Sequence, residues 1–396
     1  MALSIFGYKI ERRSLGNPNV TFFDWIDSQD WSRSSADIRV TDKRSLTLSA
    51  VYACIKVISE TIAELPLDLY RRNETSKERL FTDVSYLMST SPSDRYTSYS
   101  FRQALQVCTL LYGNGYAYID YTKSMTPKSL TLLNPQKVEC KILEETGSVV
   151  YIVNGTQVLE PYQMLHIKGM SLDGVVGLSP IECHKEAYGS GLALQEFGNK
   201  FFANGTLATG IVTKAGSIDA AGVKALKKQF KEHYAGRKNQ HGVLILDAGM
   251  DFKQLSINPD QAQFLESKRF SVEDIARLFR VPPHMVGDLS RATNNNIEHQ
   301  SLEFTKYTML PWIKQWEQEL DRKLLKAKDH QFKFNLNALL RGDVSTRAQY
   351  YVKMIQNGVM SPNEVRMLEN MNPREGGDIY LTPMNLTTNA DGKENI

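Results

Sequence analysis

Lys224, Lys227, Lys228 and Lys231 recur at i, i+3, i+4 and i+7, the spacing that gathers side chains on one face of a helix. From 214 to 241 the chain carries seven Lys and Arg against two Asp and Glu, a local charge of +5. Such a stripe can hold phosphates without reading bases, and it is equally the ordinary solvated face of a surface helix. A second candidate has the opposite character. Arg291, Thr293, Asn294, Asn295 and Asn296, followed by His299 and Gln300, are mostly uncharged hydrogen-bond formers in a segment, GDLSRATNNNIEHQ, with almost nothing to hold a core. They suit loose contact with phosphates or water, and a plain connecting loop would look the same.

Other chemistry is sparse. Asp247 and Asp251 flank a Gly-containing turn and could be imagined around a cation, but Asp is common in hairpins for its own backbone bonding. Glu273 and Asp274 are neighbours on a helical pattern, so they point in different directions and do not easily share a substrate. The seven histidines (His166, His184, His233, His241, His284, His299, His330) include no i, i+4 pair to set two ring nitrogens on one metal. GxxxxGK[ST], GxGxxG after a strand, HExxH, GxSxG and CxxC are all absent. No catalytic residue, metal or cofactor is expected.

The elements that must carry these residues follow from periodicity. Val51, Cys54, Ile55, Ile58, Ile62 and Leu65 describe a helix that Pro66 stops, with a strand over 67–71. A helix over 100–111 follows, then Gly113-Asn114-Gly115 as a turn into a strand over 116–121. Runs at 130–133, 138–143, 149–153 and 164–167 predict one small mixed sheet. One long helix is expected from Ser179 to Ala203 despite Gly189, Gly191 and Gly198, then a strand over 210–213 and a helix over 217–234. Residues 242–257 alternate like a hairpin, and a helix over 260–279 ends at Pro282-Pro283. The last long helix, 297–325, carries Leu302, Met309, Ile313, Trp316 and Leu320 on one stripe, and Pro311 predicts a kink near 307–312. One or two short helices over 341–368 precede a polar tail.

Composition sets the frame. The chain has 396 residues with 42% apolar, 23% charged and a net charge of +3, which describes a foldable globular protein of two or three domains and not a bulk polycation. Four cysteines (Cys54, Cys108, Cys140, Cys183) with no pairing pattern suggest a reducing compartment. No apolar run approaches ~18 residues, so neither secretion nor a membrane span is expected. The first 44 residues, with Phe22, Phe23 and Trp25 as anchors but no period, suggest an arm ordered only against something else.

In that order of elements the sequence resembles the HK97-like portal proteins of tailed bacteriophages. The blocks that carry the likeness are SLTLSAVYACIKVISETIAELPLDLYRR, LLYGNGYAYID, MLHIKGMSLDGVVGLSPIE, EFGNKFFANGTLATGIV, FLESKRFSVEDIARLFRVPPHMVGD, NNNIEHQSLEFTKYTMLPW and IQNGVMSPNEVRMLENM, over about 45–386. The resemblance implies an α+β portal fold. Its expected parts are an N-terminal arm (1–44), an α/β wing (45–216), a stem helix (217–235), a small β-containing clip (236–259), a second stem helix (260–281), a tunnel loop (282–297), a kinked wing helix with a following strand (298–340), a helical crown (341–386) and a disordered tail (387–396). It further implies a homo-oligomeric ring, usually of twelve subunits, at one capsid vertex of the virion, assembled in the host cytoplasm. Double-stranded DNA would pass through it during packaging and ejection, independent of sequence. Partners would be the terminase large subunit, the major capsid protein or scaffold, and a head-tail adaptor. On that footing Arg291, Thr293 and Asn294 to Asn296 are the expected channel residues, Lys224, Lys227, Lys228 and Lys231 a candidate basic stem face, and Pro311 the helix kink. Two alternatives stay open: a structural head-tail adaptor ring with no DNA role, and a DNA-processing enzyme using the same lysines with an acidic site.

Overall fold

In a computed structural model of the chain, the described residues are 4–5, 8–9, 34–35, 38–72, 77–143, 147–204, 210–214, 222, 224, 250–254, 261–289, 294–336, 344–369 and 371–381. Helix α1 (Ser49–Glu64) buries Val51, Cys54, Ile55, Ile58 and Ile62, the stripe its spacing requires. Strands β1 (Leu67–Arg72) and β2 (Lys77–Leu80) follow, then helices α2 (Asp83–Ser89) and α3 (Ser98–Tyr112). The buried Arg102 of α3 donates to the Ile62 and Leu65 carbonyls at 3.2 and 2.7 Å, closing the end of α1. Thr97 caps α3, and Gly113 ends it at φ +76°.

Six strands come next: β3 (Asn114–Tyr121), β4 (Pro127–Leu133), β5 (Val138–Ile142), β6 (Val149–Val153), β7 (Gln157–Leu159) and β8 (Met164–Lys168). They form two three-stranded sheets, β8-β3-β4 and β5-β6-β7, rather than one mixed sheet, and every pairing is antiparallel. Short connections explain this, because a parallel neighbour needs a crossover of a dozen residues or more. Tyr116, Leu133, Tyr151, Val153, Leu159 and Met164 form the core between the two sheets. Asn114 and Gly115, expected in the turn, are already in β3.

The single helix expected over 179–203 is broken. A turn over Pro180–Cys183 ends at His184 before α4 (Lys185–Asn204) begins. Its glycines allow close approach: a Cβ on Gly189 would strike Ser34, and one on Gly191 would meet Ser271 and Leu48. The described part of the arm docks there, with Ser35 donating to Glu186 and Arg44 pairing with Glu196 at 2.5 Å.

Strand β9 (Gly210–Lys214) pairs with β10 (Met250–Gln254), so the second arm of the expected 242–257 hairpin finds its partner upstream, while 242–246 lies outside the described residues. Helix α5 (Gln261–Phe279), helix α6 (Asn294–Glu303) and helix α7 (Leu310–Leu324) lead to β11 (His330–Phe334), which joins β1 in a third sheet, β11-β1-β2. The second compact unit begins at Asn335. It holds α8 (Val344–Gln356) and α9 (Pro362–Leu368), with Ser361 and Glu364 capping α9 reciprocally. Asn363 fastens the following loop through Arg374 and Asp378 at 2.9–3.0 Å.

Candidate nucleic-acid interface

The expected channel segment, 282–297, is only partly a loop. Pro283–Val286 is a 3₁₀ turn, and Asn294, Asn295 and Asn296 are the first residues of α6, so they stand on a helical turn and not on a free strand of chain. Asn is tolerated at helix starts, which a reading of the run as loop-forming polar residues overlooks. Arg291 and Thr293 lie outside the described residues. Of the stem lysines, Lys224 is helical and exposed, and Lys227, Lys228 and Lys231 lie outside. Asp247 lies outside too; Asp251 stands on β10 opposite Thr213. Among the described residues no His, Cys, Asp or Glu cluster could hold a metal, and no helix is long and apolar enough to cross a membrane. Asp274 pairs with Arg277 on the surface of α5.

The root of the segment is firmly built. Arg280 ends α5 in the left-handed region at φ +54°, and the buried Thr308 hydroxyl donates to its carbonyl at 2.5 Å. His284 Nδ1 meets Gln300 Oε1 at 2.7 Å, and Arg269 pairs with Asp288 at 3.5 Å. Three bonds therefore tie residues 280, 284 and 288 to Thr308, Gln300 and Arg269.

Between α6 and α7 the chain forms six residues of π-helix, Phe304–Met309, with the Leu310 N–H donating to the Thr305 carbonyl five residues back. Pro311 is the cause. It has no N–H for the Tyr307 carbonyl and its ring crowds that turn, so the hydrogen-bond register slips by one where a plain α-helix would clash. The slip turns the upstream stretch by about one residue, roughly 100°. Met309, Ile313, Trp316 and Leu320 are buried as the stripe predicts, but Leu302 is 54% exposed, and Phe304 and Thr308 face inward in its place.

Helix α7 is anchored by charges that the hydropathy pattern did not mark. Trp316 Nε1 donates to Gln106 Oε1 at 2.8 Å. Glu317 takes Lys333 at 2.6 Å and the Phe334 N–H at 3.1 Å. Glu319 pairs with Arg322 at 2.7 Å and accepts the His166 N–H at 3.4 Å; burial raises its carboxyl above the usual range despite those partners. Burial also draws Lys323 down to about 8, and its ammonium reaches the Pro161 carbonyl.

His166 ties this helix to the family-like blocks LLYGNGYAYID and HIKGMSLDGVVGLSP. Asn114 Oδ1 accepts from the Gly177 N–H at 2.7 Å and Asn114 Nδ2 donates to the Gly177 carbonyl at 2.7 Å. His166 Nε2 must then be the donor to Asn114 Oδ1, at 2.9 Å, leaving Nδ1 to accept from the Tyr151 hydroxyl at 3.2 Å. Burial, reinforced by Lys168, lowers the imidazole to about 3, so it stays neutral. The 169–178 loop is further set by Asp173 Oδ1, which accepts from the Val175 and Val176 N–H groups at 2.8 and 2.9 Å.

Comparison with known proteins adds the following. The profile of the family described as "Phage portal protein" matches residues 49–370. The portal protein of Enterobacteria phage HK97 is 32% identical over 384 residues, 91% of this chain and 88% of that one. Among solved structures, an HK97 family phage portal protein from Corynebacterium diphtheriae aligns with TM-score 0.58 at 16% identity, covering 80% of this chain and 99% of that chain. A chain from the neck of a native gene transfer agent particle, computed with C12 symmetry, aligns with TM-score 0.54 at 21% identity, covering 88% and 97%.

Proposed function

This chain belongs to the phage portal protein family, and from that premise we propose that twelve copies close into a ring at one capsid vertex, through which double-stranded DNA enters during packaging and leaves at ejection. The likeness to the HK97 portal protein over nine-tenths of the chain is the observation that carries this. The ring acts as a conduit: a separate terminase supplies the energy, and this chain performs no catalytic step of its own. In the virion the same ring passes from the terminase to head-tail adaptor proteins, after assembly with capsid protein or scaffold in the host cytoplasm.

A conduit must touch phosphates and let go. Each phosphate neutralised releases counterions and adds affinity, so a wall rich in cations would stall the duplex. Arg291, Thr293 and Asn294 to Asn296 offer one charge and several neutral hydrogen-bond formers, which suits weak contact blind to sequence. The three bonds at the segment's root support this role, since a surface pressed by moving DNA needs stiff mounts. Lys224, Lys227, Lys228 and Lys231 on the first stem helix add long-range attraction along the path. The parts named wing, stem, clip, tunnel loop and crown keep the boundaries given above.

Replacing Arg291 and Lys228 together by Glu tests the DNA role. Complementation with the double variant is expected to yield assembled heads that are empty or underfilled. Normal DNA content would point instead to an adaptor ring whose bore is never occupied.

A further inference from the structure

The far end of α7 carries a second cationic surface. A cleft of about 440 Å³ is lined by Asp321, Arg322, Lys326, Lys328 and His330, with Leu325 and Ala327 as its chief apolar atoms. Lys326 Nζ donates to the Ser124 carbonyl at 2.7 Å, which brings the 122–126 turn and its exposed Lys123 to the rim. That turn is well defined: the Thr122 N–H donates to the Thr126 carbonyl at 2.9 Å, and Met125 sits at φ +59°.

The nearby carboxylates are engaged elsewhere. Asp321 accepts the Phe332 N–H at 2.6 Å, Asp329 faces Arg71 at 3.8 Å and His330 at 4.0 Å, and Glu319 holds two Arg322 nitrogens. A guanidinium has five N–H donors, so Arg322, with a 63% exposed side chain, keeps others for a ligand. Lys123, Arg322, Lys326 and Lys328 thus present an excess of positive charge on two elements locked together.

From this geometry we infer that the cleft, at the C-terminal end of α7, is a site for a nucleic-acid phosphate backbone separate from the tunnel loop. A protein partner would need buried aromatic or aliphatic anchors, whereas the two apolar residues of the cleft, Leu325 and Ala327, are a half-buried and an exposed side chain with no aromatic ring between them. Lysines on flexible stems suit phosphates at variable positions and carry no sequence preference. The cleft lies at the C-terminal end of α7, whereas Thr308, just before its N-terminus, holds Arg280 at the root of the channel segment, so the 15 residues of the helix, about 20 Å, separate the two.

Closed circular plasmid DNA is the probe, because it has no end to thread through a ring. The full chain is titrated with plasmid at 50 and 200 mM salt, as wild type, as Lys123→Gln/Lys328→Gln and as Arg291→Gln. Both cleft lysines are exposed, so the double variant is expected to keep the wild-type assembly mass and melting temperature. Its affinity is expected to drop about tenfold at 50 mM salt, and the slope of log K against log salt to shrink by roughly 1.8, for two lost phosphate contacts. Arg291→Gln should bind plasmid as wild type does. Unchanged affinity in the cleft variant, or a cleft that takes polyglutamate but not plasmid, overturns the inference. Ring formation is read separately from mass, so failure here leaves the portal assignment standing.

Discussion

His166 and Asp42 are buried groups whose titrations push stability in opposite directions. The imidazole is lowered by burial and by Lys168 from 6.5 to about 3, so between those values the unfolded chain binds a proton that the folded chain refuses. Its contribution is fully present above pH 6.5 and is lost on acidification, by up to ~1.4 kcal/mol per pH unit. Asp42 behaves inversely. Gln136 donates to one carboxylate oxygen at 3.1 Å, and burial raises the acid to about 6 although the Tyr112 hydroxyl works against the shift. Folding therefore favours the protonated acid, and that contribution fades as pH rises from about 4 to 6. Asp42→Asn is expected to stabilise the protein by about 2 kcal/mol at pH 7.5 and by almost nothing below pH 4. Denaturant midpoints across that range check this, and a gain independent of pH would remove Asp42 titration as its source.

At the scale of elements, two joints carry the architecture. Gly113 closes α3 at φ +76° with the Leu178 carbonyl against it, so a Cβ is excluded both by conformation and by space. Gly113→Ala is predicted to cost ~2–4 kcal/mol, read as a lower denaturant midpoint, whereas Gly147→Ala, in open surroundings at φ +65°, should lose only the conformational part, ~1 kcal/mol. Thr308→Val leaves the Arg280 carbonyl without its 2.5 Å donor, at a cost of about 1 kcal/mol, and should speed hydrogen exchange selectively over 280–289. Unaltered exchange there would mean that the root of the segment is held by its other two bonds alone.

Much of this was legible in advance, for stated reasons. The stripe of α1, its stop at Pro66, α5 and the pair α8 and α9 follow from local periodicity and caps. Pro311 announced a disturbance, but only the tertiary fit of Thr308 and Phe304 decides that it takes the form of a π-turn exposing Leu302. Nothing in the sequence marks Glu317, Glu319 and Lys323 for burial, since the partners that allow it are remote: His166 lies 153 residues from Glu319. The β1–β11 pairing has the same character, joining residues 67–71 to 330–334. The asparagines at 294–296 were legible as polar but not as helical.

For the whole molecule, membership of the phage portal protein family leads to the expectation that identical copies stand side by side. Heterologous contacts between such copies close into a ring when the rotation per copy divides the circle. Imaging of the purified full chain by single-particle microscopy tests that claim most directly. The account predicts annular particles, twelvefold in projection, with a bore that admits a B-form duplex; compact solitary particles without a perforation, or an annulus too tight for duplex DNA, would contradict it.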